Sequence, residues 1–310
     1  MAEPPITTEH RARLLKIATY ASVGTALLLV GAKGAAWLIT GSVSVLASLI
    51  DSLMDTATSL INLLAVRYAL APADAEHRFG HGKAESLAGI AQAMFISVSA
   101  IFLLLQAGDR LLHPAPLKEI SSGIGVMVFA MVCTAILVAI QRYVIKRTQS
   151  AAIRADSLHF VTDFLTNGGT LLALFLTTAG WSNADPILAI AIGLYILYSA
   201  KGIGVQAFHL LMDHELPDEQ RTLIEKIARN HEAVRGVHDL RTRQSGQTVM
   251  IQLHIELDGN MPLLQAHAIS DEVELAIGQQ FTGADVIIHQ DPVRAVPVKH
   301  ADQAYLHSHH

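Results

Sequence analysis

A polytopic α-helical membrane protein with six transmembrane helices and a C-terminal α+β cytoplasmic domain is the fold class this sequence predicts. Three observations lead there. Its 310 residues are 51% hydrophobic with a mean hydropathy of +0.39, too apolar for an ordinary soluble domain. The apolar residues fall in six blocks, roughly 14–39, 44–70, 86–112, 121–145, 151–179 and 185–210, each as long as the ~20 residues a helix needs to cross a bilayer. Beyond them, residues 213–294 alternate charge and apolar side chains as a water-soluble domain does. Short tails, 1–13 and 295–310, complete the division.

Residues Met1 to His10 form a polar tail containing Pro4-Pro5. The first block is too long for a signal-peptide core and has no clear small-residue cleavage site, so it reads as a retained span. Near its outer end stand Gly31, Lys33 and Gly34. Lys33 is expected to snorkel to the interface, pairing with an acid being the alternative. The glycines suit close helix packing.

The second block holds two aspartates, Asp51 and Asp55. A carboxylate near the middle of a membrane helix costs about 2.5–3.5 kcal/mol on insertion scales, so two there call for compensation. Their i, i+4 spacing puts both on one helix face. The fifth block carries a matching pair, His159 and Asp163. Three carboxylates and an imidazole on two facing helices suit a four-ligand divalent metal site, and a metal-ion pathway is the expectation. Asp156, nearer the cytoplasmic end of the same block, is expected to face water.

Between the second and third blocks lies Asp74-Ala75-Glu76-His77-Arg78-Phe79-Gly80-His81-Gly82-Lys83. Asp74, His77 and His81 are spaced for a three-ligand cation site; the alternative is a solvated loop with incidental histidines. The single cysteine, Cys133, lies in the fourth block and can form no intramolecular disulfide.

Pro217 stops the sixth helix. Thereafter the pattern predicts a helix at 218–231, strands at 236–243 and 248–257 around a Ser245-Gly246-Gln247 turn, a helix at 263–280 and a strand at 285–290. This αββαβ order fits helices packed on one face of a three-stranded sheet. Odd positions of 249–257 are apolar, which leaves His254 on the other face with Gln252 and Glu256. His289 and Asp291 share parity on the last strand. With His238 and His267 they make four histidines and an acid that can converge on one or two metals. The terminal His307-Ser308-His309-His310 is either a weak metal tract or an incidental one.

Ten lysines and arginines flank one side of the spans and two the other, which puts both termini in the cytoplasm. The net charge of −5 hides a split: from Asp213 onward there are 15 acids and 8 bases, and ten of the 16 histidines. An acidic, histidine-rich portion favours cations and excludes nucleic acid as a partner. The remaining partners are a lipid bilayer, divalent metal ions and protons.

Taken together, D-x3-D in the second span, H-x3-D in the fifth, the D-x2-H-x3-H-G-K-A-E loop and the segments His238 to Arg243 and Ile288 to Pro292 resemble the cation diffusion facilitator family. The likeness is greatest to its bacterial zinc and ferrous-iron efflux pumps, and the resemblance spans about Leu14 to Pro292. It implies a homodimer of six-helix protomers in the bacterial inner membrane. Each would carry a metallochaperone-like cytoplasmic domain and exchange a divalent metal for protons. It further implies that Asp51, Asp55, His159 and Asp163 form the transport site and Asp74, His77 and His81 a loop site. His238, His254, His267, His289 and Asp291, with a contribution from Gln290, would form a two-metal cytoplasmic site. Lys83 and Asp213 would form a charge pair locking the dimer. The donor set suits Zn²⁺, with Fe²⁺ and Cd²⁺ also fitting by ligand type. Two other functions would also bury acids and a histidine. An intramembrane metal hydrolase would want a motif such as H-E-x-x-H, which does not occur; a metal-responsive receptor would want an output surface that sequence does not reveal.

Overall fold

The computed structural model describes residues 8–41, 43–113, 124–179, 181 and 183–293. The Pro4-Pro5 tail, Lys118 and the terminal histidine tract lie outside them. The chain divides into a unit spanning Glu9–Leu211 and a second beginning at Met212.

Six helices make the first unit: α1 (Thr8–Thr40), α2 (Val43–Ala69), α3 (Lys83–Leu112), α4 (Ile124–Thr148), α5 (Ala151–Thr178) and α6 (Ala184–Leu211). All six are long and apolar enough to cross a membrane. They coincide with the six expected spans, and the largest difference is at the start of α1. That helix begins at Thr8 because hydropathy marks the apolar length of a helix and not its polar first turns, here led by Glu9.

Small residues set the closest helix approaches. On α3 and α6, a Cβ added at Gly89 would stand 3.3 Å from the Ala207 Cβ, and one at Gly193 would meet Leu104 Cδ2 at 2.8 Å. Ala93, Ile96 and Ala100 of α3 join Ile196, Ala200 and Ile203 of α6, with Ala155 and Leu158 of α5, in one buried cluster. The expectation for the first span is met only in part. A Cβ at Gly34 would lie 4.0 Å from Leu49 of α2, whereas one at Gly31 would meet nothing within 4 Å.

Helix α5 is packed unevenly. Ser150 caps it, its Oγ accepting from the Ile153 amide at 3.2 Å. From Ala151 to Phe160 nine of ten residues are buried, but every residue from Val161 to Leu171 is only half-buried. His159 and Asp163 straddle that change.

The second unit contains α7 (Asp218–Arg229), β1 (Gly236–Ser245), β2 (Thr248–Leu257), α8 (Leu263–Gln280) and β3 (Asp285–Pro292). The sheet order is β1-β2-β3, antiparallel then parallel. Alternation in β2 buries Ile251, Leu253, Ile255 and Leu257 against Ile224 and Ala228 of α7 and Ile269, Val273 and Ile277 of α8. Both helices therefore cover one face, and the even positions of β2 are left on the other. Gly246, at φ +58°, makes the β1–β2 turn.

Candidate metal centres

Among the described residues, three groups of histidines and acids hold ligand atoms within 4.8 Å of one another. The membrane group is Asp55 from α2 with His159 and Asp163 from α5. His159 Nε2 lies 3.1 Å from Asp55 Oδ1 and 3.9 Å from Asp163 Oδ2. The i, i+4 spacing on α5 stacks imidazole over carboxylate, and α2 supplies the opposing oxygen. Asp51, one turn before Asp55, is exposed and stands outside this three-residue group.

Two neighbours of this group differ from expectation. Lys33 does not snorkel. Its Nζ turns inward and donates to Ser52 Oγ at 2.6 Å and to the Ser48 carbonyl at 3.1 Å. Asp156 does not face water either; it is fully buried. Ser22 Oγ of α1 donates to its Oδ2 at 2.5 Å, Gln141 Nε2 of α4 to the same oxygen at 2.8 Å, and Gln92 Nε2 of α3 to Oδ1 at 3.3 Å. Four helices thus meet on one carboxylate, whose lone pairs are satisfied by amide and hydroxyl donors. Nothing in the local sequence signals this, because its partners lie 15 to 134 residues away.

In the loop, Asp74 Oδ1 accepts from the backbone amides of His77 at 2.6 Å and Glu76 at 2.9 Å. The first of these bonds, and then the second, hold the exposed Asp74 carboxyl below the usual carboxylate range. Its Oδ2 lies 3.2 Å from His81 Nε2, and His77 Nδ1 is 3.4 Å from Oδ1. His81 is buried beneath Tyr68, ring centroids 4.4 Å apart, with its Nδ1 unpartnered. Gly80, at φ +77°, turns the backbone so that His81 folds back over Asp74.

The sheet builds the third group, His238, His254 and Asp291, by register, with His289 beside it. His238 pairs with His254, and His254 with His289, so three histidines from three strands form one row. Asp291, two residues past His289, reaches back under the row. Its Oδ2 is 2.8 Å from His254 Nδ1 and 3.4 Å from His238 Nε2, and its Oδ1 is 3.4 Å from His289 Nε2. Partial burial would raise this carboxyl, but the hydrogen bond from His254 and the three imidazoles carry it below its ordinary value. Glu256 Oε1, on the His254 face as parity indicates, is 3.7 Å from His238 Nε2, and Asp239 Oδ2, 3.6 Å from His254 Nε2, adds an oxygen donor that strand parity alone misses. Asp239 gets there through an irregularity between His238 and Arg241, where its φ is +47°.

Two residues expected in the third centre stand elsewhere. His267, on α8, is exposed and lies 3.6 Å from Asp271 one turn on. Gln290 has the opposite parity from His289 and donates to Ser270 Oγ of α8 at 2.7 Å. Of the residues assigned to a dimer lock, Lys83 Nζ donates to the Leu211 carbonyl at 3.3 Å and Asp213 accepts from Arg243 at 3.2 Å.

Comparison with known proteins agrees with a six-helix unit followed by a small sheet domain. Residues 19–212 match the family model described as cation efflux transmembrane domain. Residues 216–293 match that of the cation efflux protein, cytoplasmic domain. The cation-efflux pump FieF of Salmonella typhimurium is 54% identical over 285 residues, 92% of this chain and 95% of that one. The protein of the same name in Salmonella arizonae is 53% identical over the same extent. A solved structure of CzrB, 32% identical, covers 26% of this chain and 99% of its own at a TM-score of 0.25. Both family models, met end to end over a fold that carries acids and a histidine inside its helices, place the chain in the cation efflux, or cation diffusion facilitator, family.

Proposed function

We propose that the chain is a proton-coupled divalent metal efflux antiporter that carries Zn²⁺, with Fe²⁺ or Cd²⁺ as further cargo. Residues 14–212 would transport and residues 213–294 would sense metal. The observation that supports it most is the convergence of Asp55, His159 and Asp163 inside the helical unit, with Asp51 as the fourth ligand one turn away. The relatives' printed name, cation-efflux pump, points the same way.

The chemistry follows from charge. Three carboxylates left bare in a low-dielectric setting are costly, and either a divalent ion or protons relieve that cost. Metal and proton are then rival ligands for one set of atoms, which is the thermodynamic basis of exchange. Imidazoles change charge near neutral pH, so His159 is the readiest proton acceptor of the four. The uneven packing of α5 supports the alternation of access, because its half-buried stretch begins where the ligands sit. Ten cationic residues against two orient both termini to the cytoplasm of a bacterial inner membrane, and export is the direction.

The loop group (Asp74, His77, His81) and the sheet group (His238, His254, His289, Asp291) have donor sets that suit Zn²⁺, and His267 joins the latter only through a rearrangement of α8 or in a homodimer. Metal held there supplies cross-linking charge that ties strands or loop together. In a homodimer such ties would bias the membrane unit toward transport.

Reconstituted vesicles test the reading. Asp163→Ala is expected to abolish zinc-driven proton flux, measured with a pH-sensitive dye trapped inside. Undiminished flux in that variant would remove the site assignment.

A further inference from the structure

Lys33 is only 9% exposed although it lies in an apolar membrane helix. A lysine buried this way needs a reason to be charged where it is. Its ammonium is fixed by Ser52 Oγ and the Ser48 carbonyl, and Ser52 is flanked by Asp51 and lies three residues before Asp55. The cation is therefore held on the same stretch of α2 as the two acids.

We propose that Lys33 is a resident counter-cation of the membrane metal centre, a specificity-determining residue that keeps the centre from holding its cargo too tightly. This rests on the assignment of Asp51, Asp55, His159 and Asp163 as the transport site. Three carboxylates and a divalent ion leave one negative charge over; with Lys33 counted, the loaded centre is neutral, the cheapest state in a low dielectric. A fixed cation also opposes a doubly charged ion twice as strongly as it opposes the single proton that would take the metal's place on His159. Lys33 thus shifts the rivalry between metal and proton toward the proton, and release of cargo becomes easier. Its two hydrogen bonds stop the side chain from swinging toward the interface, so the bias persists through the cycle.

The test uses full-length protein in proteoliposomes, with zinc uptake followed by an entrapped fluorescent indicator. The variants are Lys33→Met, Lys33→Gln and Lys33→Arg, with Asp55→Ala as the control for the site. Without the charge, KM for zinc is expected to fall about tenfold or more, and turnover is expected to fall with it. Lys33→Arg should behave as the parent protein. A merely structural lysine predicts the opposite sign, a KM that rises or stays put. Lys33→Gln keeps a donor for Ser48 and Ser52, so it decides the matter where Lys33→Met does not assemble. Parent-like KM and turnover in Lys33→Gln, with Asp55→Ala inactive, would overturn this inference alone. Parent vesicles that move no zinc would overturn the site assignment and this inference together.

Discussion

At His159 the nature of one donor atom would set what the proposed membrane centre prefers to hold. An imidazole nitrogen beside carboxylate oxygens suits zinc, whereas all-oxygen sets suit harder ions. His159→Asp keeps four ligands and is expected to shift preference from Zn²⁺ toward the harder Mn²⁺; competition among the metals for transport in vesicles reads this out. An unchanged order would place selectivity in another residue. The same scale shows where sequence reading stops. The i, i+4 pairs in α2 and α5 were legible because helix geometry fixes their shared face. The direction of Lys33 was not, because inward and outward rotamers differ by which neighbour awaits them, and Ser48 and Ser52 sit on another helix. The burial of Asp156 is hidden from the sequence for a similar reason: its partners Ser22, Gln92 and Gln141 come from three other helices.

Helices α3 and α6 touch through glycine and alanine, and that contact leaves no spare volume. A Cβ at Gly193 would already stand 2.8 and 2.9 Å from two Leu104 carbons, so Gly193→Leu must displace the Leu104 side chain or the helices themselves. Overpacking of this kind costs about 1–3 kcal/mol, and a lowered melting temperature in detergent, followed by circular dichroism, is the expected result. Gly108→Leu, with nothing within 4 Å of an added Cβ, is the neutral comparison. The two helices are held at their far ends too, by an ion pair of 2.6 Å between Arg110 and Asp185. In the sheet domain, element order and strand parity were readable: the odd residues of β2 are the core and His254 lies opposite. What parity could not give was the register shift at Asp239, since an irregularity in a strand leaves no periodic signal. Nor could it bring His267 to the row of histidines, because a helix position says little about the sheet face it does not pack on.

For the whole molecule, the sheet group joins three strands through Asp291, so metal there would link β1, β2 and β3 into one body. Deleting residues from Leu216 onward is expected to leave a membrane unit that transports but no longer speeds up as metal rises. Rate against zinc concentration in vesicles measures this; a retained acceleration would sever sensing from this domain. The six spans were foreseeable because a bilayer imposes a length on any helix that crosses it. How firmly each is seated was not, since apolar residues facing lipid and apolar residues facing protein are spelled alike. Helix α5 shows why this matters. Its first ten residues are nearly all buried and the next eleven are only half-buried, so the ion would arrive where a covered stem gives way to a more open arm. A carrier gains from that opening: a sphere enclosed on every side would grip its ion better and surrender it more slowly.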